Sequence, residues 1–257
     1  MTITAITSDR FANKRWRENG NYQFAQSRMI CELAVQEIPM ASLSYPVAIL
    51  AHEEQYHFIA LLGVKQKENL FVSAEGRWLG RYIPAVLRAY PFRLTLDDNG
   101  SKILCIGEAA GVIGDEGERF YEEDGSTPSA AIREKMNFVS EVDRGMAEAT
   151  RVGELLHDEG VLKTWDIQRG GGDEPPLSQQ LQVVDEGQLN TLSGERLAFL
   201  RDEGALSLIY SQLSSLNNMQ NLKNRAMLRD KASGETDLKG LLDVNAEAQD
   251  SLNFENL

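Results

Sequence analysis

Alternating apolar and polar residues in the first half of the chain predict β-strands. The segments PVAILAHE (46–53) and YHFIALLGV (56–64) are rich in Val, Ile and Phe, and a short polar stretch separates them. Branched and aromatic side chains of this kind fit the pleated, half-buried surface of a sheet. The pattern therefore predicts a β-hairpin over residues 46–64.

A second hairpin is expected from YPFRLTL (90–96) and KILCIG (102–107). The Asn-Gly pair between them favours the positive φ angles of a tight turn. With NLFVSAEGRW (69–78) as a further strand, residues 47–107 are predicted to form one antiparallel sheet. PAVLRAY (84–90) is expected to insert a short helical turn into it.

Beyond residue 127 the apolar spacing changes to steps of three and four, which indicates a long amphipathic helix. Thr127 is predicted to cap this helix. Pro128 suits its first position, because the missing N–H has no helical partner there. Gly160 is expected to end it. The apolar stripe consists of Ile132, Met136, Val139, Val142, Met146, Ala149, Val152 and Leu156.

The remaining third of the chain combines two short strands with helices. LKTWDIQ and LQVVDE predict a short hairpin near residues 162–184. Asp185 begins a sequence that resembles a capping box for a short helix, and Ser193 is predicted to cap another that stops at Gly204. One long amphipathic helix is expected from Ala205 onward. Its apolar residues are Leu206, Ile209, Leu213, Leu216, Met219 and Leu222.

These elements predict an α+β fold, with an N-terminal antiparallel sheet or small barrel packed against C-terminal helices. At 257 residues the chain is long enough for one large domain. Its polar C-terminal end is predicted to be a mobile tail. The expected boundaries are 1–24 for an irregular N-terminal segment, 25–225 for the domain, 45–123 for its sheet-rich part, 127–225 for its helical part and 226–257 for the acidic tail.

The net charge of −13 is unevenly distributed along the chain. Residues 1–95 contain eleven Lys and Arg against eight Asp and Glu, whereas residues 96–257 contain fifteen against thirty-one. This acidic majority repels a phosphate backbone, so nucleic-acid binding is disfavoured. No segment approaches the roughly 18 consecutive apolar residues of a membrane span. Because no signal-peptide pattern is visible either, a cytoplasmic location is expected.

The sequence offers few candidates for catalysis or metal binding. His52 and His57 are five residues apart, whereas an H-E-x-x-H zinc helix needs four, and no third ligand is indicated. Cys31 and Cys105 are expected to be free thiols, the latter in a buried strand. Acidic residues around 114–124 favour a solvated loop over a calcium site. Since G-x-S-x-G, P-loop and G-x-G-x-x-G motifs are also missing, we predict no catalytic residues, no metal and no cofactor.

The stretch EGRWLGRYIPAVLRAYPFRL (75–94) contains four arginines, four aromatic residues and no lysine. Arginine stacks on aromatic faces and forks onto carboxylates, and this composition is typical of binding hot spots. In the alternative interpretation the rings are core residues and the arginines pair with the acidic C-terminal half. That alternative is favoured for most of these side chains. The residues predicted to contact a ligand are Trp78, Arg81, Tyr82, Arg88 and Tyr90.

Several blocks of sequence resemble the SapC family of bacterial surface-layer-associated proteins. The blocks are NLFVSAEGRWLGRYIPAVLRAYPFRL, LCIGE, SYPVAIL, HFIALLGV, FYEEDGSTPS, GVLKTWDI and VVDEGQLNTLSGERLAFLRDEGALSLIYSQLSSL, and together they cover roughly residues 25–220. The GGGDEPP segment and the chain beyond about residue 225 depart from the resemblance. The family that the chain resembles has no established catalytic residues, so the resemblance assigns none here. It implies a link to a surface layer through the family's name, and an accessory role in outer-membrane uptake or natural-product tailoring through associated gene neighbourhoods.

Together these observations predict a non-catalytic accessory protein that recognises a protein, a peptide or a small carboxylate-bearing ligand. Bidentate hydrogen bonds from the arginines suit a carboxylate or an acidic partner face. One alternative is a surface-layer component or assembly factor, which would be exported to the cell surface. Another is an enzyme of unrecognised type. Neither nucleic acid nor membrane insertion is expected, and a homo-oligomer stays open.

Overall fold

The computed structural model describes residues 3–97, 99–107, 111–165 and 180–233, which form helices and antiparallel sheets. The α+β class predicted from the sequence is confirmed. The strands are β1 (Ile3–Ala5), β2 (Arg15–Trp16), β3 (Ile30–Glu32), β4 (Val47–His52), β5 (Gln55–Leu61), β6 (Phe92–Leu96), β7 (Lys102–Gly107), β8 (Ile113–Gly114), β9 (Glu118–Arg119), β10 (Leu162–Thr164) and β11 (Leu181–Val184). The helices are α1 (Ser8–Phe11), α2 (Ile38–Ala41), α3 (Ala85–Ala89), α4 (Ala130–Asp158), α5 (Glu186–Leu189), α6 (Gly194–Asp202), α7 (Ala205–Ser215) and α8 (Asn218–Ser233), with two short 3-10 helices at Gln23–Ala25 and Val35–Glu37.

The central sheet has five strands in the order β10-β11-β4-β5-β3, and all neighbours are antiparallel. The predicted hairpin at its centre is confirmed, because β4 pairs with β5 from Val47 opposite Ala60 to His52 opposite Gln55. Three consecutive residues of β4, Val47, Ala48 and Ile49, are fully buried. Since successive side chains point to opposite faces, both faces of this sheet are covered.

The prediction of one sheet over residues 47–107 is wrong. The confirmed hairpin of β6 and β7 belongs to a separate three-stranded sheet, in the order β1-β7-β6. Residues 69–78 form no strand, and a single bridge joins Val72 to Trp78. The backbone there finds other partners, since Arg229 of α8 donates to the carbonyls of Asn69 at 2.9 Å and Val72 at 2.7 Å. With these groups satisfied by a side chain, a sheet ladder is not needed.

The N-terminal segment is part of the fold, which corrects the expectation that residues 1–24 are irregular. Its first described strand, β1, pairs with β7, and β2 pairs with both β8 and β9. Phe11 and Trp16 are each only 2% exposed. Strands of two or three residues are too short to show an alternating pattern, which is why the sequence did not reveal them.

The buried residues form two clusters, and α4 contributes to both. The larger cluster lies around the central sheet and includes Ala149, Val152 and Leu156 from the C-terminal half of α4. The smaller cluster lies around β6, β7 and the N-terminal segment, and it includes Ile132 and Val139 from the N-terminal half. The long helix predicted from the sequence is confirmed, and it joins the two cores.

The start of α4 differs from the prediction, because Ser129 and not Thr127 caps the helix. The Ser129 hydroxyl accepts a hydrogen bond from the backbone N–H of Ile132 at 3.2 Å. Thr127 instead donates to the carboxylate of Asp124, through its hydroxyl at 2.5 Å and its backbone N–H at 2.8 Å. Pro128 pairs with Tyr121 in an isolated bridge and so precedes the helix.

The C-terminal third matches the prediction except in its last helix. The β10–β11 hairpin is confirmed, and Asp185 and Ser193 cap α5 and α6 as expected. The single long helix expected from Ala205 is broken between α7 and α8. At this break the Asn218 amide donates to the carbonyls of Ser42 at 2.7 Å and Tyr45 at 3.3 Å. These bonds attach the start of α8 to the segment between α2 and β4.

The expected domain boundary at residue 225 falls inside α8, which continues to Ser233. Ala226 and Asp230 are 2% and 4% exposed, so this part of α8 packs against the rest of the protein. The rest of the predicted 226–257 tail, residues 234–257, and the GGGDEPP segment lie outside the described residues.

Two glycines allow α4 to approach its neighbours closely. A Cβ atom at Gly153 would lie 2.1 Å from the backbone oxygen of Tyr56 in β5. At Gly145 it would lie 2.1 Å from the Gln36 side chain and 2.8 Å from the Cβ of Ala34. Real Cβ atoms do not approach neighbours this closely, so Gly153 sets the distance from α4 to β5, and Gly145 its distance from the 3-10 helix at Val35–Glu37.

We expect Gly153→Ala to lower the free energy of unfolding by about 1–3 kcal/mol, because the added methyl group meets rigid backbone. The loss should appear despite the roughly 1 kcal/mol that alanine gains from helix propensity. Urea denaturation followed by circular dichroism measures it. The matched control is Gly194→Ala in α6, where a Cβ has no neighbour within 4 Å. A Gly153→Ala variant as stable as the control would contradict the close packing.

Candidate functional site

The buried carboxylate of Glu37 positions the arginine- and aromatic-rich segment. Glu37 is 6% exposed, and one of its oxygens accepts a hydrogen bond from the Ala34 N–H at 2.8 Å. The other accepts from the Tyr82 hydroxyl at 2.8 Å and from the Ala85 N–H at 2.7 Å. A buried charge is stable only when it is paired or well hydrogen-bonded. These three bonds therefore fix Tyr82 and the start of α3 to the 3-10 helix that precedes α2.

Tyr82 forms hydrogen bonds through both its side chain and its backbone. Burial, followed by the negative charge and the hydrogen bond of Glu37, raises the pKa of Tyr82 to about 12. The hydroxyl therefore stays protonated at neutral pH and donates. Its backbone carbonyl accepts from the Trp78 indole N–H at 2.7 Å and from the Tyr45 hydroxyl. The only polar atom of the Trp78 side chain is consequently hydrogen-bonded within the fold.

Arg88 is held in place by neighbours that are not carboxylates. Its Nε donates to the carbonyl of Ile83 at 3.1 Å, and one terminal nitrogen donates to the Tyr82 hydroxyl at 3.4 Å. The guanidinium carbon lies 5.8 Å from the Tyr82 ring centre and 5.2 Å from that of Phe138 on α4. Within the described part of the chain, these contacts leave three of its five N–H groups without an acceptor. The arrangement presents a pre-oriented fork of the kind that binds a carboxylate.

The interpretation that these arginines pair with the acidic C-terminal half is not supported by the structure. Across the described ranges, Arg77, Arg81, Arg88 and Arg93 form no ion pair with a carboxylate, and all four are exposed. The aromatic side chains behave as that interpretation expected, because Trp78 and Tyr82 pack against the larger core. The segment therefore has structural rings and outward-facing cations.

Arg88 opens onto a cleft of about 370 Å³ between the N-terminal segment, the turn after α3 and α4. The lining residues are Trp16, Glu18, Asn19, Tyr22, Arg88, Tyr90, Pro91, Lys135 and Phe138. Behind the lining, half-buried rings continue in a row. Phe24 stacks on Tyr90 with ring centres 3.6 Å apart, and Tyr22 lies 6.0 Å from Phe24 and 5.5 Å from Trp78. The cleft thus combines flat apolar walls with positive charge.

A second hollow of about 630 Å³ adjoins this cleft and shares Trp16, Glu18, Lys135 and Phe138 with it. Lys135 Nζ lies 2.6 Å from Glu18 Oε1 and 5.5 Å from the centre of the Trp16 ring. The indole N–H of Trp16 is buried and finds no acceptor within the part of the chain that the structure describes. The Lys135–Glu18 ion pair therefore lies at the boundary between the two hollows.

The structure places the five predicted ligand contacts differently. Arg88 and Tyr90 line the cleft, and Tyr82 contacts Arg88 from behind. Trp78 is one ring away from the lining, through Tyr22. Arg81 is exposed, does not line either hollow and forms no hydrogen bond or ion pair within the described residues. For all five residues, contact with a ligand stays a prediction.

Sequence reasoning missed most of the cleft, and some signals were present. Phe138 and Lys135 lie off the apolar stripe of α4, and an aromatic residue outside that stripe indicates a contact beyond the main core. Trp16 and Glu18 belong to the segment RWREN, where a tryptophan is surrounded by charges. Because Glu18 and Lys135 meet across 117 positions of sequence, no local pattern brings them together.

The remaining candidate groups have structural neighbours. Both cysteines are buried free thiols, and burial raises the pKa of Cys31, which keeps it protonated. The Nδ1 atom of His57 lies 3.2 Å from the Thr150 hydroxyl on α4. In the described ranges, no group of three or more His, Cys, Asp or Glu side chains is arranged to hold a metal ion. Within those ranges, the helices include none with the length and apolar character of a membrane span.

Replacing Tyr82 with Phe tests the role of Glu37. The variant leaves a buried carboxylate oxygen with one donor fewer, so we expect a loss of about 1–3 kcal/mol in the free energy of unfolding. The raised pKa of Tyr82 also means that wild-type stability falls as pH rises from about 10 to 12, since only the unfolded tyrosine ionises readily there. The variant should lose less over that window.

Urea denaturation at pH 7 and between pH 9.5 and 11.5 measures both effects of Tyr82→Phe. The matched control is Tyr210→Phe on α7, whose side chain is 56% exposed. Equal stability of the two variants at pH 7 would show that the Tyr82–Glu37 bond does not stabilise the fold.

Comparison with known proteins gives one family and no individual relative. No curated protein and no solved structure matches the chain. The family model described as SapC matches residues 6–222, which extends the resemblance seen in the sequence to α1 and β2 and includes the described lining of the cleft. The matched region ends within α8. A match over this share of the chain shows that the protein belongs to the SapC family.

Proposed function

We propose that this protein is a non-catalytic accessory protein that binds a carboxylate-bearing ligand in the cleft beside Arg88. The observation that supports the proposal is the guanidinium group itself. It is oriented by Ile83 and Tyr82, stacks against Phe138, and has no carboxylate partner among the described residues. A carboxylate that accepts two of its free N–H groups would make the strong, charge-assisted bonds that arginine favours.

The walls of the cleft suit the body of such a ligand. Tyr22, Tyr90 and Phe138 supply aromatic surface to the lining of the cleft. Aromatic rings bury much area at a small loss of side-chain entropy, and their hydroxyl groups bond to polar atoms of a ligand. The volume of about 370 Å³ lies within the range of small-molecule sites.

The protonation state of the tyrosines in the cleft suits binding. Burial is the main reason that the pKa values of Tyr22 and Tyr90 are raised, so both hydroxyls stay protonated at neutral pH. They can donate hydrogen bonds but do not act as bases there. In either setting that the family resemblance implies, uptake at the outer membrane or natural-product tailoring, the task would be to hold and present a ligand.

Replacing Arg88 with Ala should reduce the affinity for carboxylates by about 10- to 100-fold, because a charge-assisted pair is lost. Isothermal titration with phenylacetate, and with phenylacetamide as the uncharged analogue, measures this effect. Arg88→Lys should recover only part of the affinity, since lysine lacks the planar fork. The matched control is Arg93→Ala, which removes the same charge from β6 outside the cleft.

Three results would contradict the proposal. The first is the absence of phenylacetate binding to the wild-type protein up to the millimolar range. The second is binding that is unchanged in Arg88→Ala. The third is a loss of binding in Arg81→Ala but not in Arg88→Ala, which would move the site to the exposed surface outside the cleft.

A further inference from the structure

The cleft beside Arg88 contains a second cation, Lys135, which is paired with a carboxylate of the chain itself. Lys135 Nζ lies 2.6 Å from Glu18 Oε1. The Lys135 side chain is 23% exposed and lies over the Trp16 ring, whereas the Glu18 side chain is 73% exposed. The lysine is thus a fixed part of the cleft, and Glu18 reaches it from the solvent side.

The ion pair between Lys135 and Glu18 is weak. Ion pairs with an exposed partner contribute little to stability, because water screens the charges and the side chains lose entropy. The carboxylate of Glu18 forms no other hydrogen bond within the described chain. A better-positioned carboxylate can therefore replace it on Lys135.

The charges that line the cleft are incompletely matched. Arg88 and Lys135 supply two positive charges, and among the described residues Glu18 is the single acid in the lining. Arg88 has no carboxylate partner in the described ranges, so the one available carboxylate neutralises only the lysine. A ligand with two negative groups would satisfy both cations and release Glu18 to solvent.

We propose that Glu18 occupies the place of a ligand carboxylate, and that the ligand is a dicarboxylate. One carboxylate forks onto Arg88, the other replaces Glu18 on Lys135, and the body between them contacts Tyr22, Tyr90 and Phe138. This inference rests on the proposed function and adds the charge of the ligand to it. Movement of Glu18 also joins the cleft to the adjacent hollow, because the ion pair lies between them.

The test compares 1,4-phenylenediacetate with phenylacetate, which differ by one carboxylate, in titrations of the full chain. The wild-type protein should bind the dicarboxylate at least about fivefold more tightly. Glu18→Gln should increase this preference a further three- to tenfold, because the internal competitor is gone. The ratio of the two affinities is the decisive quantity, since any general gain of positive charge strengthens both ligands.

Two further variants complete the design. Lys135→Gln should bring the dicarboxylate affinity down to that of phenylacetate, whereas Arg88→Ala should weaken both ligands. Glu141→Gln is the control, because it removes an exposed acid from the same helix outside the cleft. If Lys135→Gln fails to fold, Glu18→Gln decides alone, since its exposed side chain can change without loss of packing.

The outcomes separate this inference from the proposed function. If phenylacetate binds in an Arg88-dependent way but Glu18→Gln leaves the ratio unchanged, the dicarboxylate inference is overturned and the proposed function stands. If neither ligand binds to the wild-type protein or to Glu18→Gln, both are overturned. The dipeptides Phe-Glu and Phe-Gln, which also differ by one carboxylate, then replace the aromatic probes. If the affinity ratio of Phe-Glu to Phe-Gln exceeds that of 1,4-phenylenediacetate to phenylacetate, the second carboxylate has a peptidic source.

Discussion

The structure around the cleft depends on one buried negative charge. Glu37 receives hydrogen bonds from two backbone N–H groups and a tyrosine hydroxyl, and these bonds connect the 3-10 helix before α2 to the segment that begins α3. Because the Tyr82 carbonyl in turn accepts from Trp78, the same carboxylate indirectly orients the indole. The orientation of Arg88 also depends on it, since Tyr82 contacts the guanidinium group. Loss of this carboxylate would therefore disturb structural and ligand-facing residues together.

The second constraint is α4, a helix of 29 residues that contributes to both hydrophobic cores. Its C-terminal half can approach β5 because Gly153 has no side chain. In its N-terminal half, by contrast, Phe138 and Lys135 lie off the apolar stripe and line the cleft with their side chains. One helix therefore sets the packing of the central sheet and supplies one wall of the candidate site.

Local sequence patterns predicted the elements that are long or strongly patterned, and failed where structure depends on distant partners. The β4–β5 hairpin, α3 and α4 follow from spacing and turn residues. Strands such as β2 exist only because distant segments pair with them. The cleft shows the same division. Arg88 and Tyr90 were recognised by their local composition, whereas Glu18 and Lys135 meet across 117 positions of sequence.

The two walls of the cleft belong to different cores. Tyr22 packs against the core of the central sheet, whereas Trp16 and Phe138 belong to the core around β6 and β7. The width of the opening is therefore a measure of how these two packed bodies are aligned. A ligand that contacts both walls would therefore connect the two cores. Its binding would stabilise their relative position and so reduce motion in residues that it does not contact.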